Sequence, residues 1–262
     1  MALRQAWRNL GPVAAVIALL LGVSLLPPDT SLAEVRRTGT LTACVPSAYP
    51  PLVTGDPARP GIDIELLRAV AAELGVSLSL NRIPAIGRDF NPRNWGVTRA
   101  HCEVIAGGVV DAPLTRSFLS TGPAYAQTGW AAVGPERLPD LRGRTVGVLT
   151  LISGLDRIGL ASHLRESGAA ARIVQRPDDL VAALEGREIE AGITEALLAR
   201  QLAAANGWEV WPMPEALPRY NVVWGLWKGD LTLKRAVEEA FEDLHRDGTI
   251  AAISEAYLGA SG

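Results

Sequence analysis

Residues 41–80 carry the reading that decides the fold. Leu41-Thr42-Ala43-Cys44-Val45 has the composition of a strand, and Ser47-Ala48-Tyr49-Pro50-Pro51 follows it as a stiff loop. Gly61-Ile62-Asp63-Ile64-Glu65-Leu66-Leu67-Arg68-Ala69-Val70-Ala71-Ala72-Glu73-Leu74 then places Leu67, Val70, Ala71 and Leu74 at helical spacing. Gly75 supplies the left-handed position that ends such a helix, and Val76 to Leu80 alternates apolar and polar residues as a strand does. Alternation of this kind predicts α/β architecture with largely parallel sheets.

The pattern continues outward. Cys102 to Ala106 and Thr128 to Val133 read as further strands, Leu138 to Arg144 as a crossover, and Thr145 to Leu149 as the start of a second strand set. A helix over Leu180 to Leu184, capped by Asp178 or Asp179 and closed at Gly186, leads to a strand over Ala191 to Thr194. Glu195 opens an Ala-rich helix that stops at Asn206-Gly207. Pro212, Pro214 and Pro218 mark a connector. Asn221 to Trp227 reads as a strand, Leu231 to Arg246 as a long amphipathic helix, and a short helix closes at Gly259.

At 262 residues the chain exceeds what one hydrophobic core usually serves, so two lobes with a cleft are expected, although a single α/β barrel also fits. With 48% hydrophobic and 20% charged residues it is neither a disordered tail nor a collagen-like repeat. Lys228 and Lys234 are the only lysines, and the arginines are scattered without a basic run, which argues against nucleic-acid binding.

Arg4 and Arg8 precede an uncharged apolar run from Val13 to Leu26, followed by Pro27-Pro28 and the small residues of Ser31-Leu32-Ala33. This is the order of a secretory signal peptide, here residues 1–33; the run of 14 is shorter than the about 20 residues needed to span a bilayer, and a retained anchor is the competing reading. Export makes the periplasm the expected location and a Cys44–Cys102 disulfide the expected state of the two cysteines, with two buried thiols as the alternative.

Catalytic and metal signatures are sparse. His101, His163 and His245 lie far apart, and there is no Cys-x-x-Cys, phosphate loop, dinucleotide fingerprint or Gly-x-Ser-x-Gly elbow, so neither metal nor cofactor is expected. What remains suits non-covalent capture of a small molecule. Tyr49, held by two prolines, offers an aromatic face at the carboxyl end of a strand, unless it packs under its own loop. Gly107 and Gly108 let backbone N–H groups approach a ligand, or form a simple tight turn. Arg116 offers a fork for a carboxylate, although most arginines are surface charges. Glu195 can hold an amine at a cleft or simply complement a helix dipole.

Several motifs in order resemble the family 3 solute-binding proteins, the periplasmic receptors of polar amino-acid ABC importers. They are Tyr49-Pro50-Pro51, Gly61-Ile62-Asp63-Ile64-Glu65-Leu66, Leu141-Arg142-Gly143-Arg144-Thr145-Val146-Gly147-Val148, Leu184 to Ala191, and the tail from Leu231 to Gly259. The resemblance implies a type II periplasmic binding protein fold of two hinged lobes, residues 34–132 plus 219–262 and residues 133–218. It implies a monomer that is not an enzyme and that hands its ligand to a membrane permease. By the same resemblance Tyr49 stacks, Phe90 forms a second aromatic wall, Arg116 binds a carboxylate, Glu195 binds an amine, and the Thr150 to Ser153 loop donates further contacts.

The departures are Pro46 in place of an acid, Gly154 displaced from the expected position, Val110 in place of a hydroxyl, and a shortened segment from Arg116 to Tyr125. Cys44 and Cys102-Glu103-Val104 are also similar to the substrate-binding-like partners of periplasmic quinoprotein dehydrogenases, a second reading. A cyclohexadienyl-dehydratase-like enzyme on the same fold is a third.

Overall fold

The computed structural model describes residues 12, 15–18, 29–150 and 154–259. Most of the expected leader and Ser153 lie outside them.

Helix α1 (Ser31–Thr38) leads through Gly39 into β1 (Thr40–Val45). The helix anticipated after Gly61 is α2 (Ile62–Glu73), whose apolar face buries Leu66, Leu67, Val70 and Ala71. It delivers the chain to β2 (Ser77–Arg82), which pairs in parallel with β1. A long irregular segment then leads to β3 (Val104–Ile105), parallel to β1 on its other side. The strand expected over Cys102 to Ala106 thus keeps only its centre, because Ala106 runs straight into Gly107 and Gly108, both at positive φ. After the short helix α3 (Pro113–Phe118) and β4 (Leu119–Thr121), the chain leaves through β5 (Ala126–Thr128).

The second lobe contains β6 (Trp130–Gly134), β7 (Thr145–Leu149), α4 (Arg157–Glu166), β8 (Ala170–Val174), α5 (Pro177–Glu185), β9 (Ala191–Glu195), α6 (Ala196–Asn206) and β10 (Glu209–Pro212). The chain returns through β11 (Tyr220–Val222) to β12 (Gly225–Trp227), α7 (Leu231–Arg246) and α8 (Thr249–Leu258). The two sheets run β2-β1-β3-β12-β4 and β10-β6-β9-β7-β8. In each, four strands point the same way and one, β12 or β6, is reversed. Each sheet has its own buried core: Leu41, Leu67, Trp224 and Phe241 in the first lobe; Trp130, Val146, Leu160 and Ile193 in the second.

Two expected strands are broken, and both breaks occur where the chain passes between lobes. Thr128 to Val133 divides at Gly129, and Asn221 to Trp227 divides between Val222 and Gly225. On the hinge side of each break, β5 and β11 pair antiparallel as a separate two-stranded ribbon, Tyr220 opposite Thr128. A Cβ on Gly129 would lie 3.2 Å from the Pro218 carbonyl oxygen, so glycine lets the two crossing segments run close. β6 already belongs to the second sheet at Trp130. The helix expected from Leu180 starts earlier, at Pro177, where a missing N–H costs nothing; Asp179 lies in its first turn and takes a bidentate grip from Arg176 instead of capping.

The residues proposed for leader cleavage are folded. Asp29 Oδ2 accepts from the Thr232 N–H at 2.5 Å and Ser31 Oγ from the Leu233 N–H at 3.2 Å. They satisfy the first-turn donors of α7, whose own N-cap residue, Asp230, makes no side-chain cap. These bonds hold the Asp29 carboxyl well below the usual range, against a desolvation that pushes it up.

Cys44 and Cys102 form the expected disulfide, with Cα atoms 5.6 Å apart and both residues buried among Ile86, Trp95 and Val109. Closing a loop across a sequence separation of 58 restricts the unfolded chain. Replacing both cysteines by Ala is expected to lower the free energy of urea unfolding by about 2–4 kcal/mol, whereas a loss within error would mean the bridge does not hold the segment. Asp29→Ala is expected to cost about 1 kcal/mol in the same assay, as loss of a helix cap does.

Candidate functional site

A cavity of about 470 Å³ opens between the lobes. The first lobe contributes Ser47 to Pro50, Pro84 and Ile86 to Arg88, from the loops that follow β1 and β2; the second contributes Pro177, Glu195 and Leu198, at the N-termini of α5 and α6. Loops at the carboxyl ends of parallel strands face helix N-termini across the cleft, which is where open α/β sheets bind ligands.

Tyr49 is fixed by its neighbours. Its N–H donates to the Val53 carbonyl at 2.6 Å, and Val53 N–H returns a bond to Tyr49 at 2.9 Å. A Cβ on Gly108 would lie 2.6 Å from the ring and one on Gly87 2.9 Å from it. Gly87 and Gly108, at φ of 75° and 97°, therefore leave the space that the ring occupies. Gly107 and Gly108, expected where backbone N–H groups approach a ligand, do not line the cavity, and a Cβ on Gly107 would strike the Pro46 ring at 2.2 Å. Burial, followed by the charges of Glu195 and Asp63, pushes the Tyr49 hydroxyl well above its usual range, so it is a neutral donor.

Glu195 ends β9 and caps α6. Oε2 accepts from the Leu198 N–H at 3.0 Å, and Oε1 accepts from the Thr128 hydroxyl, at the last residue of the hinge strand β5. Burial raises its pKa against the lowering by these bonds. The two readings of Glu195 are thus combined in one side chain: it caps a helix and it lines the cavity.

The remaining expected residues are elsewhere. Arg116 does not line the cavity; its guanidinium pairs with Asp111 at 2.8 Å and its side chain is 54% exposed. Phe90 crosses from the first lobe into the buried core of the second, edge-on to Tyr220 at 5.0 Å and against Gly154, where a Cβ would lie 2.5 Å from the ring. It ties the lobes together and does not line the cavity. Thr150, half-buried after β7, does not line it either. Among the described residues no group of three His, Cys, Asp or Glu is placed to hold a metal ion.

Sequence reasoning missed Asp63. It is fully buried in the first turn of α2, and its carboxylate accepts from Gly107 N–H at 2.5 Å, Trp224 Nε1 at 3.1 Å and the Tyr125 hydroxyl. An acid flanked by Ile62 and Ile64 was the available signal. The cavity loop Pro84 to Arg88 was missed too; its signal was position alone, after a parallel strand.

A family model described as bacterial extracellular solute-binding proteins, family 3, matches residues 41–260. The L-cystine-binding protein TcyJ of Escherichia coli is 25% identical over 98% of this chain and 96% of its own length. Among solved structures, an ancestral cationic amino acid solute binding protein superimposes with a TM-score of 0.71 at 18% identity, over 87% of this chain and 99% of that one. Substrate binding domain 2 of Lactococcus lactis GlnP, in an open conformation, gives 0.69 at 18% identity, over 86% and 97%. The chain belongs to the bacterial extracellular solute-binding proteins, family 3.

Burial pushes the Asp63 carboxyl up to about 6, opposed by the bonds from Tyr125, Trp224 and Gly107. From about pH 4 to 6 the unfolded chain ionises this group while the native state keeps its proton. Stability contributed at low pH is then lost as pH rises through the native value, on the order of 2–3 kcal/mol. Urea titrations of wild type and Asp63→Asn at pH 4 and 7 are expected to differ by that pH-dependent amount; parallel pH profiles would contradict it.

Proposed function

We propose that this family 3 protein captures a small amino acid or related solute between its lobes and presents it to the membrane permease of an ABC importer. The observation that carries this reading is the inter-lobe cavity with Tyr49 on one lobe and Glu195 on the other, the lobes being joined by the two-stranded hinge of β5 and β11. An aromatic face and a buried carboxylate suit a ligand with an amine, and TcyJ and the two structural neighbours are named as amino-acid or substrate binders. A solute touching both jaws favours the closed arrangement by its differential contacts, and that arrangement is the form a permease would read.

Export to the periplasm accompanies the reading. A cut after Ala33 would divide α1 and remove the Asp29 and Ser31 caps of α7, so mass spectrometry of the exported protein's N-terminus reads whether those caps persist. A second reading, a partner protein for a periplasmic quinoprotein dehydrogenase, draws on the disulfide-bonded cysteines and on an Arg116 turned away from the cleft.

A thermal-shift screen of the purified chain with the common L-amino acids and L-cystine tests the first reading. At a hundredfold excess over Kd a ligand contributes about 2.7 kcal/mol, a rise in melting temperature of roughly 5–10 °C. Glu195→Gln preserves an acceptor for the Leu198 N–H and is expected to weaken an amine ligand about 10-fold or more. No shift with any of the panel, together with co-purification of a large dehydrogenase, would favour the second reading.

A further inference from the structure

We propose that Arg88, and not Arg116, is the cation that fixes the anionic group of the solute, and that the cavity selects a zwitterion with an apolar body. The inference rests on the reading of this cavity as an amino-acid site. Arg116 is turned onto Asp111 and lies outside the cavity, whereas Arg88 lines it, one residue after the Gly87 that gives the Tyr49 ring its space.

The loop that carries Arg88 is pinned on both sides. Before it, Ile86 is buried beside the Cys44–Cys102 bridge. After it, Asp89 accepts from the Asn91 N–H at 2.8 Å and from Asn94 Nδ2 at 3.0 Å, while its carbonyl accepts from Trp95 Nε1 at 3.1 Å. A guanidinium on so constrained a backbone loses less freedom on binding than one on a loose loop. Arg88 already has a contact within the protein, and the proposal requires only that its five donors leave capacity for a carboxylate.

Glu195 stands on the opposing lobe, where Thr128 and Leu198 donate to its two oxygens, and a carboxylate oxygen has two lone pairs with which to accept. The cavity thus presents one cation and one anion on facing jaws. The rest of the wall includes Ala48, Tyr49, Pro84, Ile86, Pro177 and Leu198, and contains no further charged residue. A charged solute side chain would be desolvated there without a partner, whereas an apolar one buries surface at no such cost.

Calorimetric titration of the full chain with L-phenylalanine, L-leucine, L-arginine and L-glutamate tests the inference, alongside Arg88→Gln and Arg116→Gln variants checked by urea unfolding. The apolar amino acids are expected to bind at least 10-fold more tightly than the charged pair. Arg88→Gln is expected to weaken L-phenylalanine at least 10-fold while Arg116→Gln changes it less than 2-fold. Phenethylamine, which lacks the carboxylate, is expected to bind wild type and Arg88→Gln alike. Tighter binding of L-arginine or L-glutamate, or sensitivity to Arg116→Gln with none to Arg88→Gln, would overturn the inference and leave amino-acid capture intact. Failure of all four to bind would overturn the inference, and only silence across the whole panel of L-amino acids and L-cystine would remove the underlying reading as well.

Discussion

The buried carboxylate of Asp63 is the contact on which the first lobe's share of the site depends. It gathers Gly107 at the end of β3, Tyr125 on the way to the hinge, and Trp224 just after the chain returns. Segments far apart in sequence are therefore tied to the first turn of α2. A carboxylate buried without partners costs several kcal/mol, and the three donors offset much of that cost only if each is in place. The arrangement sets the position of Gly107 and Gly108, and Gly108 in turn sets where the Tyr49 ring can lie.

The second lobe holds its share differently. Glu195 is anchored by a helix N-terminus and by Thr128, so the same carboxylate touches the cavity, α6 and the hinge strand. Any solute that competes for its oxygens perturbs a residue of the ribbon about which the lobes would turn. Phe90 supplies a further tie, burying an aromatic ring of one lobe in the core of the other. Leu197 does the reverse, placing a residue of α6 among the buried side chains of the first lobe. These ties join the lobes away from the cavity wall.

Much of the fold was legible because it rests on local patterning. The helical stripes of α2 and α7, the glycines at 75 and 207, and the alternation of strands with helices all follow from periodicity and backbone freedom. The hinge was not legible: Thr128 to Val133 and Asn221 to Trp227 each look like one strand, and only long-range pairing shows that each is divided between two sheets. At the site, Tyr49 and Glu195, which line the cavity, were legible because Tyr49 lies in the loop after β1 and Glu195 at the carboxyl end of β9. For Arg116, a motif position does not reveal that Asp111 sits within reach of its guanidinium. Asp63 and the Pro84 to Arg88 loop were hidden because their roles arise from contacts that no spacing encodes.

The central claim is that a small solute sits between Tyr49 and Glu195, held by both lobes at once. A crystal structure of the protein grown with the amino acid that gives the largest thermal shift tests it directly. Density for the solute is expected between the Tyr49 ring and the Glu195 carboxylate. Density confined instead to the outer groove of the second lobe, between Arg137 to Arg142 and Trp211 to Pro214, with the inter-lobe cavity holding only solvent, would contradict it.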